Sequence, residues 1–293
     1  MACNSDISMA PVHAHPYEPF TGADVPALLC LFLVAGVFFL AFPASAATTS
    51  LHIEKIAWDG TTILSSTDVD AAWMETHLPV YGDGVTHYYH QGPVFVDDPD
   101  PVTEEMIRWN AAEDTNVQEK DMGAVKGTAV KDLVSLAGGM EPGDTVTIRA
   151  VDGFSKTFGY RNVYLPPDRQ GPMVIAWYRE DEGYVPEYST GMRLVFLADA
   201  ATNPWGIYAF GNWDWHESAD PEYYYYYAQG NERYPTTTGL SVQMVSSLSI
   251  RQASNMTVPD TVPFTPSVSL GILTIASGML AGGWIVLRTG GTR

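Results

Sequence analysis

The stretch DTVTIRAVDGFSKTFGY, residues 144–160, decides the fold. Polar and apolar side chains alternate from Asp144 to Ala150, which is typical of a β-strand with one buried face. Asp152-Gly153 is a turn signal, and Ser155 to Tyr160 is expected to pair back on the first strand. The stretch therefore predicts a β-hairpin in the middle of the chain.

Strand signals also lie on both sides of this hairpin. Leu51 to Ile56 alternates, Asp59-Gly60 is a turn signal, and Thr61 to Leu64 returns as a second strand. Strands outnumber helices in this pattern, so the fold class is expected to be α+β and β-rich. Four apolar segments downstream are predicted as further strands: 172–178, 191–197, 205–210 and 240–250.

Two short helices are expected. Ser66-Thr67-Asp68 offers an N-cap for a helix that continues to about His77. Thr128 offers a cap for a second helix, which Gly138-Gly139 ends. Residues 80–123 are rich in Gly, Pro and Asp and are predicted to form a long irregular loop. Such loops in compact domains are usually functional.

The first of two uncharged apolar runs indicates export. Val25 to Ala46 ends in Ala44-Ser45-Ala46, a small-x-small sequence of the kind that signal peptidases cleave. Residues 1–24 lack the Lys and Arg of an ordinary leader. Residues 1–46 are therefore interpreted as a signal peptide, with an uncleaved N-terminal anchor as the alternative.

The second run, Pro266 to Leu287, is predicted to be a transmembrane helix. Its length of about 22 residues matches the ~30 Å hydrocarbon core of a membrane. Arg288 and Arg293 follow it without any acid, so the positive-inside rule places the C-terminus in the cytoplasm and the preceding chain outside. A removable sorting or lipid-anchor tail has the same appearance and is the alternative.

These boundaries predict a single-pass cell-membrane protein with an extracellular main domain. Asn255-Met256-Thr257, just before the apolar run, is a glycosylation sequon. The predicted parts are the leader (1–46), a hairpin, short helix and long loop packed on the main domain (47–123), the main domain (124–250), a stalk (251–265), the transmembrane helix (266–287) and a cytoplasmic tail (288–293).

Charge and cysteine content limit the function. The chain carries 34 acids against 15 bases, a formal net charge of −19 at pH 7. It has no basic stripe, so nucleic acid is not an expected partner. Its two cysteines, Cys3 and Cys30, both precede Ala46. The exported part would therefore lack a disulfide, a cysteine-held metal and a thiol nucleophile.

The order of motifs in residues 124–250 resembles the oxidoreductase molybdopterin-binding domain, which has the sulfite oxidase-like fold. Residues 87–178 are also similar to cell-surface proteins of methane-producing archaea that carry this domain. The resemblance implies a mixed β domain with few helices. It rests on the helix entry 125–133, the Asp152-Gly153-Phe154-Ser155 turn, the strands 174–177 and 191–195, and the closing segment 240–250.

The resemblance also implies a molybdopterin cofactor held by a cysteine thiolate, but no cysteine follows residue 46 in this chain. Met192 replaces the proline of the family's strand, and Leu240 replaces its closing tryptophan. Arg193 is the polar position that carries over, as an anion or pterin contact, and a salt bridge to one of the chain's many acids is the alternative. These departures argue against a bound molybdopterin and favour a fold retained for binding.

Two histidine-containing segments are candidate ligands for a divalent metal. His87 and His90 are three residues apart, a spacing that on a helix or turn can place two imidazoles on one ion. His216-Glu217 is the other dense polar cluster. If the two segments meet, His87, His90, His216 and Glu217 would hold a metal. The alternative is that these histidines bond to backbone groups in loops.

Aromatic residues are dense between positions 205 and 227. Tyr223 to Tyr227 is an unbroken run of five tyrosines, and neighbouring side chains of a strand or helix cannot all face one core. Some rings are therefore expected to be exposed, and such rings contact ligands at binding interfaces and sugar platforms. The alternative is that the rings pack at the edge of the core with their phenol groups hydrated. The candidate interaction residues are Tyr88, Tyr89, Trp213, Trp215, Tyr223, Tyr225 and Tyr227.

Three functions remain open from the sequence alone. The first is an extracellular, membrane-anchored binding or interaction module on a non-catalytic molybdopterin-binding-like fold, with an unidentified surface ligand or protein partner. The second is a metal- or pterin-dependent oxidoreductase at the cell surface. The third is a structural protein of the cell envelope. The missing cysteine favours the first function and weighs against an enzyme.

Overall fold

The computed structural model of the protein describes residues 47–109, 116–199, 203 and 205–254. The predicted leader, the sequon at Asn255 and the predicted transmembrane helix Pro266–Leu287 lie outside these ranges. Inside them, no helix combines the length and the apolar character needed to cross a membrane.

Strands dominate the described part of the chain, which confirms a β-rich fold with few helices. The helices are α1 (Ala71–His77), α2 (Pro101–Trp109), α3 (Val130–Ser135), α4 (Tyr160–Tyr164) and α5 (Asn212–Ser218), with 3₁₀ turns at Pro221–Tyr223 and Thr238–Leu240. The strands are β1 (Ser50–Ile56), β2 (Ile63–Asp70), β3 (Val80–Tyr81), β4 (His87–His90), β5 (Asp121–Ala129), β6 (Thr145–Ala150), β7 (Ser155–Gly159), β8 (Met173–Arg179), β9 (Gly183–Tyr184), β10 (Arg193–Phe196), β11 (Tyr208–Phe210), β12 (Tyr226–Gln229), β13 (Glu232–Pro235) and β14 (Val245–Arg251).

The first sheet has the order β2-β1-β14-β6-β7. The expected hairpin is confirmed, because β6 and β7 are antiparallel with Val146 opposite Phe158. Gly153 in its turn has a φ of +91°, a left-handed conformation that glycine adopts without strain. β1 and β14 pair in parallel, so the two ends of the described chain lie side by side in one sheet.

The second sheet has the order β10-β8-β5-β4-β11, with β3 added to β5 and β9 added to β8. β8 is buried without interruption from Met173 to Trp177, as expected for a strand covered on both faces. β5 approaches β8 so closely that a Cβ on Gly127 would lie 2.4 Å from the carbonyl oxygen of Ile175. A side chain at this point would push the two strands apart.

One hydrophobic cluster joins the two sheets and includes residues of α1 and α3. Ile53, Ile148 and Leu248 of the first sheet and Ile175 and Trp177 of the second are all fully buried. Each buried side chain of this size contributes roughly 1.5–3 kcal/mol relative to an exposed one. The core therefore depends on strands from both ends of the described chain.

Residues 80–123 are not the irregular loop that their composition predicts. They contain β3, β4, α2 and the start of β5. β3 and β4 are short; β3 pairs with β5, and β4 pairs with β5 and β11, all of which come later in the chain. Composition alone hides such elements, because the pairing that stabilises them is not local.

Strand pairing displaces both predicted helix starts. β2 continues to Asp70, whose Oδ1 accepts a hydrogen bond from the Trp73 amide (2.8 Å) as the N-cap of α1. β5 continues through Thr128, whose hydroxyl accepts a hydrogen bond from Trp177 Nε1 (3.1 Å), so α3 begins at Val130. Tertiary pairing overrides the local capping signal at both places.

Two of the predicted strands start later than expected. β11 begins at Tyr208 and β14 at Val245. The residues before β14 include the 3₁₀ turn Thr238–Leu240, which places Thr238 beside the site described below.

Shortening Leu248 in β14 is expected to destabilise the domain. Leu248→Ala would leave a cavity in the core and lower the free energy of unfolding by about 2–5 kcal/mol. Ser246→Ala removes a partly exposed hydroxyl from the same strand and should change that free energy by less than about 0.5 kcal/mol. Urea unfolding followed by circular dichroism measures both values. Equal losses in the two variants would contradict this placement of the core.

Candidate functional site

Tyr223 ends a 3₁₀ turn and Tyr224 to Tyr227 are extended; we call the run Tyr223–Tyr227 the tyrosine ribbon. The segment leaves a 3₁₀ turn, passes through Tyr224 in an extended conformation (φ −63°, ψ 136°) and enters β12. Successive side chains of an extended chain point to opposite sides. Tyr225 and Tyr227 accordingly lie on one side of the ribbon, and Tyr224 and Tyr226 lie on the other.

The Tyr225 side of the ribbon borders two adjoining cavities, which together we call the aromatic groove. The first has a volume of about 430 Å³ and the second about 550 Å³. Both volumes lie in the range of small-molecule binding pockets. Phe95 and Tyr227 line both cavities, so the two cavities adjoin at these rings.

Phe95 stands out in the groove because it is 56% exposed. Its ring meets Tyr227 and Tyr234 at an angle, with centroid distances of 6.0 and 4.9 Å. Tyr234 is buried, and the guanidinium carbon of Arg108 lies 4.7 Å from its ring centroid. Arg108 is in turn held by two glutamates. Phe95 therefore packs on a buried ring that is itself held in place, and Tyr227 contacts Phe95 in turn.

Tyr225 lies deeper in the groove against Gly239. A Cβ on Gly239 would lie only 2.0 Å from Cε1 of the tyrosine, so the ring occupies space that only glycine leaves open. The Lys156 ammonium lies 3.4 Å from the same ring's centroid and 4.7 Å from that of Phe154. Burial lowers the pKa of Lys156 to about 8. The cation–π contacts offset part of the cost of withdrawing this ammonium from water.

A buried hydrogen-bond network attaches this region to the second sheet. Gln91 Oε1 accepts a hydrogen bond from the backbone N–H of Asn212 (2.7 Å). Asn212 Oδ1 in turn accepts one from the backbone N–H of Thr237 (2.9 Å). The Thr237 hydroxyl donates to the Phe210 carbonyl (2.7 Å). Breaking such a network would leave buried polar groups unpaired. The network therefore fixes the backbone around Thr237, and with it Thr236 and Thr238, which line the groove.

The other side of the ribbon packs against α2. Tyr224 and Tyr226 lie 4.9 and 6.0 Å from Trp109, measured between ring centroids. His216 stacks on Trp213 at 4.7 Å with 7° between the planes, and it meets Trp109 at 4.9 Å. A cavity of about 510 Å³ opens beside Trp213, between α2 and α5. The ribbon therefore borders two separate aromatic surfaces.

The predicted interaction residues near the ribbon do not share one surface. Tyr225 and Tyr227 line the aromatic groove, whereas Trp213 lines the cavity between α2 and α5. Tyr223 borders a separate cavity of about 250 Å³ beside α4. Trp215 is buried in the core, because residues two apart on a helix face different directions.

Tyr88 and Tyr89 lie away from the groove on β4. Tyr88 packs on Tyr208 of the neighbouring strand β11 at a centroid distance of 5.6 Å. Tyr89 lies beside His87, 6.4 Å away. Burial is the main cause that raises the pKa of both phenols. Neither ring lines one of the cavities described above.

The four predicted metal ligands are not brought together. His87 and His90 lie on a strand rather than on a helix or turn, so their odd separation places them on opposite faces. His87 Nδ1 is exposed beside Asp121 Oδ2 (2.7 Å), whereas His90 is fully buried. His216 and Glu217 pair with each other on α5 (3.0 Å). Within the ranges that the structure describes, no three His, Cys, Asp or Glu side chains are grouped to hold a metal ion.

His90 packs inside the core. Its Nε2 accepts a hydrogen bond from the Phe196 amide (3.2 Å), and its ring meets Phe196 and Phe210 at 5.6 and 5.7 Å. Burial, with a smaller contribution from the positive charge of Arg193, lowers the pKa of His90 to about 3. The imidazole is therefore neutral at ordinary pH, and its role is structural.

Arg193, the predicted cofactor contact, lies on β10. Its Nε donates to Ser241 Oγ (2.8 Å), which in turn donates to the Leu194 carbonyl (2.6 Å). Burial lowers the pKa of Arg193. The residues present do not fit a molybdopterin. Residues 47–254 contain no cysteine to supply a thiolate, and none of the cavities described above is lined by Arg193.

Sequence patterns do not identify Phe95, Asn116, Lys120 or Tyr234 as residues of the groove. Only tertiary folding brings them to the ribbon. Asn116 has a φ of +60°, a left-handed conformation that asparagine tolerates better than most residues. The one available signal is the presence of Phe95 in a segment, GPVFVDDP, whose turn-forming composition predicts an exposed chain.

Comparison with protein-family models and with curated proteins finds no match to this chain. The function is therefore inferred from the groove and its surroundings.

Acid is expected to destabilise the domain through His90. The unfolded chain protonates this histidine near pH 6.5, whereas the folded protein does so only near pH 3. The stabilising contribution of the neutral ring is complete above pH 6.5. It is lost as the pH falls towards 3, by up to about 1.4 kcal/mol per pH unit.

His90→Gln removes this titration while keeping an acceptor for the Phe196 amide. The stability difference between the wild type and this variant should therefore shrink as the pH is lowered from neutral to mildly acidic. Urea unfolding at a series of pH values measures the difference, and His52→Gln at an exposed position is the control. A gap that stays constant with pH would show that His90 is not protonated on unfolding as described.

Proposed function

We propose that this protein is an extracellular binding module held at the cell surface and that the aromatic groove is its binding site. One observation carries the proposal: the adjacent rings of Phe95 and Tyr227 are 56% and 45% exposed. Large exposed aromatic groups set among polar ones are typical of interaction sites.

The groove combines two properties that favour recognition. Its rings supply rigid contact area, which costs little conformational entropy when a ligand binds. Polar side chains surround them and can orient a ligand. These include Asn116, Lys120, Thr236 and Thr238.

We further propose that the domain is a sulfite oxidase-like fold retained without its cofactor. The order of motifs along residues 124–250 supports this assignment, and so does the mixed β architecture with few helices. The missing thiolate ligand is consistent with it, because a fold can keep its shape while its site changes. In this proposal Arg193 makes a structural hydrogen bond to Ser241 and does not contact a pterin.

Export and anchoring complete the proposal. Residues 1–46 act as the leader, and the apolar run Pro266–Leu287 holds the protein in the membrane. Residues 47–254 then face outwards. The strongly acidic composition supports this arrangement, since a high net charge keeps an exposed domain soluble.

Whether residues 47–254 face outwards can be tested directly in intact cells. A lysine reagent that cannot cross membranes should label lysines of residues 47–254 as fully in intact cells as in lysed ones. Quantitative mass spectrometry of the labelled peptides gives the ratio. Labelling that requires lysis would place the domain inside the cell and contradict the proposed topology.

Loss of the exposed rings is expected to weaken binding to the cell envelope. In the assay, the full chain is purified in a mild detergent, immobilised and incubated with fluorescent envelope fragments from the source cells. The wild type should retain fragments. The double variant Phe95→Ala/Tyr227→Ala should bind at least about ten-fold more weakly, because truncating anchor residues commonly costs more than 1.4 kcal/mol.

Trp58→Ala provides the matched control. Trp58 is an exposed aromatic residue after β1 that lines neither cavity of the groove, so its loss should leave retention unchanged. Equal retention by the wild type and the double variant would show that the groove is not the binding site.

A further inference from the structure

We infer that the ligand of the aromatic groove is a neutral oligosaccharide. The inference rests on the proposed binding function and names the class of ligand that the groove fits. Three features carry it: the adjacency of the two cavities, the geometry of the exposed rings and the balance of the polar lining.

The groove suits a chain rather than a compact molecule. Its two cavities, of about 430 and 550 Å³, meet at Phe95 and Tyr227. A ligand that fills both must therefore continue past these rings. An oligosaccharide does so by placing successive sugar units in successive parts of the groove, with no need for a closed pocket.

The exposed rings suit the faces of sugars. A pyranose ring carries C–H groups on its faces and hydroxyl groups at its edge, and C–H groups pack favourably on the negative face of an aromatic ring. Phe95 offers such a face without a hydroxyl, and Tyr227 offers one with a hydroxyl. The two ring planes differ by 76°, so neighbouring sugar units would meet differently oriented platforms.

The polar lining matches groups that both donate and accept hydrogen bonds. Thr238, which is partly exposed, lines the first cavity and carries a hydroxyl that can donate and accept. Asn116 uses its amide nitrogen on the Pro93 carbonyl, which leaves its amide oxygen as an acceptor. Lys120 adds a donor. Sugar hydroxyls can pair with each of these groups.

The charge of the lining favours an uncharged ligand. Glu119 and Lys120 line the first cavity together, and Asp97 lines the second, in a chain of net charge −19. This surface does not attract a polyanion. A purely apolar ligand would strip water from Glu119 and Lys120 without replacing their hydrogen bonds. A neutral ligand rich in hydroxyls avoids both penalties.

The test uses envelope fragments from the source cells and the immobilised full-length protein. One portion of the fragments is oxidised with periodate, which cleaves carbon–carbon bonds between neighbouring hydroxyl-bearing carbons of sugars. A second portion is digested with protease. Periodate is expected to abolish retention, whereas protease should leave it unchanged.

Oligosaccharides released from the envelope are then separated by anion exchange and added as competitors. The uncharged fraction should displace the fragments from the wild type and from Trp58→Ala. The single variants Phe95→Ala and Tyr227→Ala should each need at least ten-fold more of this fraction for the same displacement.

The outcomes separate the two proposals. Retention that is lost after protease but survives periodate would overturn the carbohydrate assignment and identify a protein ligand, while the proposed binding function would stand. Competition by the charged fraction alone would overturn the assignment to a neutral sugar. Untreated fragments retained equally by the wild type and Phe95→Ala/Tyr227→Ala would overturn the binding function itself.

Discussion

Neighbouring side chains of an extended chain leave on opposite sides, and the candidate site depends on this alternation. Tyr225 and Tyr227 face the aromatic groove, while Tyr224 and Tyr226 pack on Trp109. The four consecutive tyrosines 224–227 can therefore serve two surfaces, with some rings packed and others exposed. The same alternation places His87 and His90 of β4 on opposite faces of the strand, whereas a helix would have placed them on one face.

Packing and cation–π contacts hold the partly buried tyrosine rings around the groove in place. Cations lie against three tyrosine rings of this region: Lys156 on Tyr225, Arg233 on Tyr226 and Arg108 on Tyr234. In a protein with few bases, these contacts concentrate positive charge beside aromatic faces and hold them in place. The buried network through Asn212 fixes the backbone next to them. Rigid, half-exposed rings lose little freedom on binding, so the contacts they make contribute more to affinity.

Local signals in the sequence predicted part of this structure. The hairpin of β6 and β7 follows from alternation and the Asp152-Gly153 turn, because both signals lie within a few residues. Exposure of some ribbon tyrosines also follows from their spacing alone. These features require no knowledge of which distant segments meet.

Other features could not be predicted, because they depend on distant contacts. β3 and β4 pair with β5, and their turn-rich composition resembles a loop until that partner is present. Phe95 becomes a groove residue only because β12 and β13 place Tyr227 and Tyr234 beside it. The predicted metal ligands lie apart for a related reason, since two histidines three residues apart can bind one metal ion only if the backbone between them is helical or turned.

Aromatic-ring NMR of the ribbon tests the central claim most directly. The full-length protein, with ¹³C-labelled tyrosine rings assigned by single Tyr→Phe variants, is titrated with the uncharged envelope oligosaccharides. Alternation together with ligand binding predicts that the signals of Tyr225 and Tyr227 shift while those of Tyr224 and Tyr226 stay in place. Equal shifts of all four rings, or shifts confined to Tyr224 and Tyr226, would contradict the account.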